Sequence, residues 1–355
     1  MRKAIITFLM LCFAFPAFCC TSVIVSGKRT HDGRPVMLKH RDTDELNNRI
    51  ARFEGEKYGF IGLVNYDSKG GSVWAGTNSA GFCIMNTATY DLKDDDIPDS
   101  EMDCEDRLMY RALEVCGSVA EFEHYLDTLT RPMHVEANFG VIDAHGGAAY
   151  FEVNNFEVFK FNVNDCPSGY RVVTNFTESG RVADRKGVDR YEKACSIMPS
   201  VIDGVDHRSL INSVSRSGAP ILRNITSAAI VFEGVREGEN PLHTVMWTAL
   251  GYPVTTPYFP LMVMDEDVLP AFVKRSSLSR AAPICEISLT LKMDGADALS
   301  SCRKIEETID MDFARIYDKW VRGEMDTKTF KKKYSRFSDN IFKRYLSIIG
   351  KLAEK

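Results

Sequence analysis

Cys20-Thr21-Ser22-Val23-Ile24-Val25-Ser26 is followed by Asp32-Gly33 and then by Pro35-Val36-Met37-Leu38-Lys39-His40-Arg41-Asp42-Thr43-Asp44. Both runs are β-branched and apolar, and Asp-Gly is a turn signal, so together they predict an antiparallel hairpin. That hairpin brings Cys20 and the His40–Asp44 segment to the same end. What precedes Cys20 then decides the chemistry open to it.

Arg2 and Lys3 lead into an uncharged, mostly apolar run from Ala4 to Phe18, and small residues Ala17 and Cys19 stand at −3 and −1 of a cut after Cys19. A basic start, a short apolar core and small residues before a polar segment describe a secretory signal peptide over residues 1–19. The run is shorter than the ~20 residues a membrane span needs. Cleavage there makes Cys20 the new amino terminus of an exported protein. Lipidation of Cys19 or Cys20 is the rival reading; bulky Phe18 before Cys19 argues against it.

Composition bounds the rest. At 45% hydrophobic and 26% charged residues, the 355-residue chain is globular, neither disordered nor a polytopic membrane protein. A net charge of −5 gives no electrostatic case for nucleic acid. The cysteines left after the leader (Cys20, Cys83, Cys104, Cys116, Cys166, Cys195, Cys285 and Cys302) contain no C-x-x-C pair. A zinc site is therefore unsupported, and most of these thiols are expected to be buried and free. His31, His40, His134 and His145 lack ligand spacing, no phosphate loop is present, and no cofactor is implied.

Further hairpins are predicted where Val73-Trp74-Ala75 and Gly81–Asn86 flank Asn78-Ser79-Ala80, and where Phe139–Asp143 and Ala148–Val153 flank His145-Gly146-Gly147. Leu108, Ala112 and Val115 recur at helical spacing, and Ser118-x-x-Glu121 is a capping box before Phe122, Tyr125, Leu126 and Leu129. Antiparallel strands with inserted helices make an α+β protein. From about residue 301 two apolar stripes follow, Ile305, Ile309, Phe313, Ile316 and Trp320, then Phe330, Tyr334, Phe337, Ile341 and Tyr345, with Gly323 between them. They predict a C-terminal helical pair over 301–355, packed on a main domain of 20–300, its lysines on the solvated face. Trp74 and Trp247 read as core.

A terminal cysteine supplies a thiol nucleophile and, in its own α-amine with an ordinary pKa of about 7.7–8.0, a general base. Such a site also needs a cation for the thiolate, an acceptor for the amine and donors for an oxyanion. Arg41 and Asp44, Asn86 at a strand end, and Asn175 after Val172-Val173-Thr174 offer those groups. Taken singly each has a plainer reading: a surface ion pair for Arg41 and Asp44, turn residues for the two asparagines, and a glycosylation acceptor for Asn175-Phe176-Thr177.

In their order, Cys20-Thr21-Ser22, Arg41-x-x-Asp44, Met85-Asn86 and Thr174-Asn175 resemble the N-terminal nucleophile hydrolases that cleave linear amides, in the choloylglycine hydrolase and penicillin acylase branch. Thr244–Pro253 is similar to the isopenicillin N acyltransferase and carcinine hydrolase relatives, and the resemblance runs from about Cys20 to Val263. It implies a four-layer αββα fold and a small-molecule N-acyl amide substrate. It further implies Cys20 as nucleophile, Arg41 beside the sulfur and Asp44 on the α-amine. The oxyanion would fall to the Asn86 backbone N–H and the Asn175 side-chain amide. A distal arginine matches Arg216, as a substrate-binding residue, or Arg223. Acyl transfer, a C-T-type dipeptidase, and a lipoprotein anchored through Cys20 are the alternatives; homo-oligomerisation is left open.

Overall fold

A computed structural model describes residues 19–353 except Leu278, Ala296 and Asp297. The signal-peptide reading thus falls outside the described residues, Cys19 apart. Among the described residues thirteen strands form two antiparallel sheets. The first contains β1 (Thr21–Val25), β2 (Val36–Asp42), β10 (Tyr170–Val173), β11 (Thr226–Glu233), β12 (Val245–Leu250) and β13 (Phe259–Leu261), in the order β10-β1-β2-β11-β12-β13. The second runs in chain order through β3 (Asn48–Phe53), β4 (Phe60–Asn65), β5 (Ala75–Asn78), β6 (Cys83–Ala88), β7 (Ala137–Ile142), β8 (Ala148–Val153) and β9 (Val158–Asn162).

The period-two alternation of the strands sorts their side chains into two cores. Cys83, Met85, Ile142 and Tyr150 join Ile24 and Met37 of the first sheet in the core between the sheets. Their neighbours Ile84, Val141, Ala149 and Phe151 face the other way, onto helices α1 (Glu105–Val115) and α2 (Val119–Thr128). Gly140 lets the sheets approach: a Cβ there would collide with Met85 Cε and crowd Tyr150 and Ile24. Ser118 caps α2, accepting from the Glu121 N–H at 3.1 Å, while the Glu121 carboxylate takes the Gly117 N–H.

Beyond the first sheet lie α3 (Val188–Val201), α4 (His207–Ser209) running into a π-helix over Leu210–Ser215, and α5 (Pro283–Met293). The long α6 (Leu299–Val321) and α7 (Thr327–Ala353) complete that layer. The turn between the last two contains Gly323 at φ +71°, a conformation glycine adopts without cost. The two predicted stripes meet each other and β12 and β13: Trp320 stacks on Phe330 at 4.2 Å, and Trp247 meets Phe313 edge-on at 5.6 Å. Three buried tyrosines donate from these helices to backbone carbonyls below, Tyr317 to His243 O (2.6 Å), Tyr334 to Pro260 O (2.7 Å) and Tyr345 to Thr255 O (2.7 Å). His207 stacks on Trp247 at 4.0 Å, its Nδ1 2.9 Å from Glu233 and its Nε2 3.8 Å from Asp310 of α6. The fold is therefore α+β in four layers, helix, sheet, sheet, helix. The cysteines described are all unbridged. Among the described residues no helix is long and apolar enough to cross a membrane, and no cluster of His, Cys, Asp or Glu could hold a metal ion.

Candidate active site

Strand β2 is buried along its whole length although Lys39, His40, Arg41 and Asp42 follow one another in it. Charge in a strand normally marks a solvated face; four successive polar residues inside one mark a site, since each must find partners there. The hairpin register sets Thr21 against His40 and Ser22 against Lys39, which brings the head of β1 beside Arg41. Cys20, Lys39, Arg41, Asp42, Thr43, Trp74, Asn86, Ala88, Asp103 and Glu105 line one cavity of about 160 Å³.

Arg41 is buried and donates to Asn48 Oδ1 and to Asn65 Oδ1 (2.7 Å), with its guanidinium 4.8 Å from the centre of the Trp74 ring. Burial pushes it down to about 10, with Cys20 acting in the opposite sense, so it is cationic at neutral pH. Trp74, expected as plain core, is thus a wall of the cavity. Asn86 receives Lys39 Nζ on its Oδ1 at 2.7 Å. It pairs with Phe139 of β7, whereas β5 ends its pairing one residue short, at Ala75 opposite Met85.

Asn175 reaches Cys20 because β10 is the other neighbour of β1, with Ser22 opposite Val173. Its Oδ1 accepts the Cys20 N–H at 2.9 Å, and its Nδ2 donates to Ala88 O at 2.6 Å. Against the expected side-chain oxyanion donor, it is the Asn175 carbonyl oxygen, rather than its amide nitrogen, that is turned to Cys20 here. The cause is Arg190 of α3, buried, whose Nη2 donates to the same Oδ1 at 2.6 Å. Arg190 Nη1 donates to Cys20 O and, at 3.1 Å, to Thr21 Oγ1. Gly187, at φ +74°, lies against this guanidinium, and a Cβ there would run into Nη2. Asn175 and Thr177 are both buried, which removes the glycosylation reading.

Two other expected site residues lie apart from this cluster. Asp44 is exposed, takes the Thr43 hydroxyl at 3.3 Å and is not in the cavity lining. Asp42, two residues earlier, is the buried carboxylate: Oδ1 takes the Thr226 hydroxyl at 2.7 Å, and Oδ2 has no hydrogen-bond partner among the described residues. Burial raises Asp42 to about 6. Arg216 is held by Glu306 of α6 through two contacts of 2.7 and 2.8 Å and by Pro253 O, so it ties the C-terminal helices to the sheet and is not in the cavity lining. Arg223 instead lies with Cys19, Lys186, Asp189 and Arg190 around a second, wider cavity.

The residues missed in the sequence are Lys39, Asp42, Arg190 and Glu105. Lys39 stands at i−2 from Arg41, hence on the same strand face, and that spacing was the available signal. Burial lowers Lys39 to about 8 and raises Glu105 to about 7. Behind β2, His40 meets Ser215 Oγ at 2.8 Å, which meets Tyr258 Oη at 2.5 Å; burial lowers His40 to about 4, so this set is neutral and structural.

No protein-family model and no curated protein matches the sequence. Among solved structures, the chain is similar to a Caenorhabditis elegans N-acylethanolamine-hydrolysing acid amidase ortholog, at 15% identity and TM-score 0.49, covering 62% of this chain and 93% of that one. It is also similar to a variant of conjugated bile acid hydrolase from Clostridium perfringens (11%, TM-score 0.47, 68% and 92%) and to penicillin V acylase from Agrobacterium tumefaciens (16%, TM-score 0.42, 69% and 86%). Two antiparallel sheets stacked between helical layers, with a cysteine at the head of an inner strand, make up this fold.

Proposed function

We propose that the protein is exported, loses residues 1–19, and hydrolyses linear amide bonds of small N-acyl compounds through Cys20. The observation that carries this reading is the hold on Cys20: its nitrogen is 2.9 Å from Asn175 Oδ1, its carbonyl is bound by Arg190, and its residue opens on a cavity shared with Arg41 and Asn86. After cleavage the Cys20 nitrogen becomes a primary amine, with Asn175 already its acceptor. The amine takes the thiol proton, and the sulfur attacks the substrate carbonyl beside Arg41. The Asn86 backbone N–H serves the oxyanion. The same amine, now an ammonium, protonates the departing nitrogen and leaves a thioester. Water, deprotonated by the amine, then cleaves the thioester and releases the acid. An amine arriving before water would make the same site an acyltransferase.

The test is a panel of N-acyl amino acids, bile-salt conjugates, penicillin V and dipeptides, assayed on protein whose terminal Cys20 is verified by mass spectrometry. Turnover of N-acyl amides that vanishes in Cys20→Ala, with a weak remainder at most in Cys20→Ser, is the expected result. Equal turnover in Cys20→Ala, or diacylglycerol on the purified terminus, would overturn the proposal.

A further inference from the structure

Lys39 is buried in the middle of β2, and its ammonium donates to two neutral acceptors, Asn86 Oδ1 at 2.7 Å and Trp74 O at 2.5 Å. An ammonium has three donors, so two bonds leave one N–H without a described acceptor. Among the described residues no carboxylate forms an ion pair with it. Removing a charge from water without a counter-charge is costly, and such residues persist at functional sites. The groups that share its cavity are Cys20 from the head of β1, Arg41 and Asp42 from β2, and Asp103 and Glu105 at the start of α1. The charges acting on Lys39 are those of Cys20, which favours its cationic form, and Arg41, which opposes it.

We infer that Lys39 is a positioning residue of the Cys20 centre: tethered by Trp74 and Asn86, its ammonium is a second cation, beside Arg41, for the negative charge that develops at the sulfur. The inference rests on the proposed role of Cys20, and it assigns a task to a residue that the sequence resemblance leaves without one. The tether works in both directions. The same bond that aims Nζ also anchors β6 at Asn86, one residue past its last β5 partner. Arg41 is held separately, by Asn48 and Asn65, so the two cations are placed by different parts of the second sheet.

The test reads the thiol without a substrate. On mature protein, the rate at which iodoacetamide alkylates Cys20 at pH 7 is followed by peptide mapping. Lys39→Met should slow alkylation about tenfold, the effect of about one unit in thiol ionisation, and Lys39→Arg should return it to within about threefold of wild type. Lys39→Gln, which keeps a donor for Trp74 and Asn86, serves where Lys39→Met does not fold and should be slowed alike. Wild-type rates in Lys39→Met or Lys39→Gln would overturn the inference. Amide turnover with a Lys39-independent alkylation rate would sink it and leave the proposed function standing. A Lys39-dependent rate in a protein that cleaves no amide would do the reverse.

Discussion

Replacing Arg190 by Met tests the hold on Cys20. The buried guanidinium makes three described hydrogen bonds, to Cys20 O, Thr21 Oγ1 and Asn175 Oδ1. Charge-assisted bonds contribute about 1.5–3 kcal/mol each, which gives a ceiling of about 5–9 kcal/mol. The three share one group and are not additive, Met refills most of the volume, and Asn175 Oδ1 keeps the Cys20 nitrogen. The expected loss is therefore about 3–5 kcal/mol, the range for removing one partner of a buried charged cluster. Urea denaturation at constant m measures it as a fall in the midpoint. Arg190→Lys, which keeps the charge but can span fewer acceptors, should recover part of the loss. Under conditions where Arg190→Met is folded, turnover should still drop at least tenfold, because the Cys20 carbonyl and Asn175 Oδ1 lose the donor they share. A loss below about 1 kcal/mol together with unchanged turnover would refute the reasoning.

Asp44→Asn should change kcat/KM less than twofold, whereas Asp42→Asn should lower it at least tenfold; steady-state kinetics on the best amide of the panel separates exposed from buried carboxylate. Glu306→Gln should destabilise the fold by about 3 kcal/mol by leaving Arg216 half-paired, with KM unmoved, as thermal melts and kinetics would report. Burial opposes charge on His207, but Glu233 and Asp310 override it and raise the imidazole to about 9. A folded value above the unfolded one of about 6.5 means that this contribution is complete below pH 6.5 and is lost as pH rises through 9. The stability gap between wild type and His207→Gln, from urea titrations at pH 6, 7.5 and 9, should therefore narrow with pH; a constant gap contradicts the assignment.

The hairpin of β1 and β2 was readable because β-branched runs and Asp32-Gly33 are local signals, and so were the α6 and α7 stripes, which repeat at the helical period. Cys20, Arg41, Asn86 and Asn175 were readable as residues in order, and the fold does gather them: Asn175 by strand adjacency, Asn86 by way of Lys39. What stayed hidden depends on long range. Arg190 lies 170 positions from Cys20, and Glu306 lies 90 from Arg216, so no local pattern announces either pair. Lys39 and Asp42 were masked by the rule that charge in a strand faces water, which fails where one face of a strand meets a second sheet and helices cover the other. Asp44 was singled out from its spacing to Arg41 and the resemblance, neither of which carries burial, and it is exposed while Asp42 is buried.

The order of the first sheet ends in β13, three residues with Pro260 at their centre, and Tyr334 bonds the carbonyl of that proline. A sheet margin left bare is a template for another chain. Here a residue with no N–H to offer and a phenol occupying its oxygen close that margin from within the molecule. The last two helices thus cover that margin, so substitutions that loosen α7 from the sheet should bare it to a neighbouring chain.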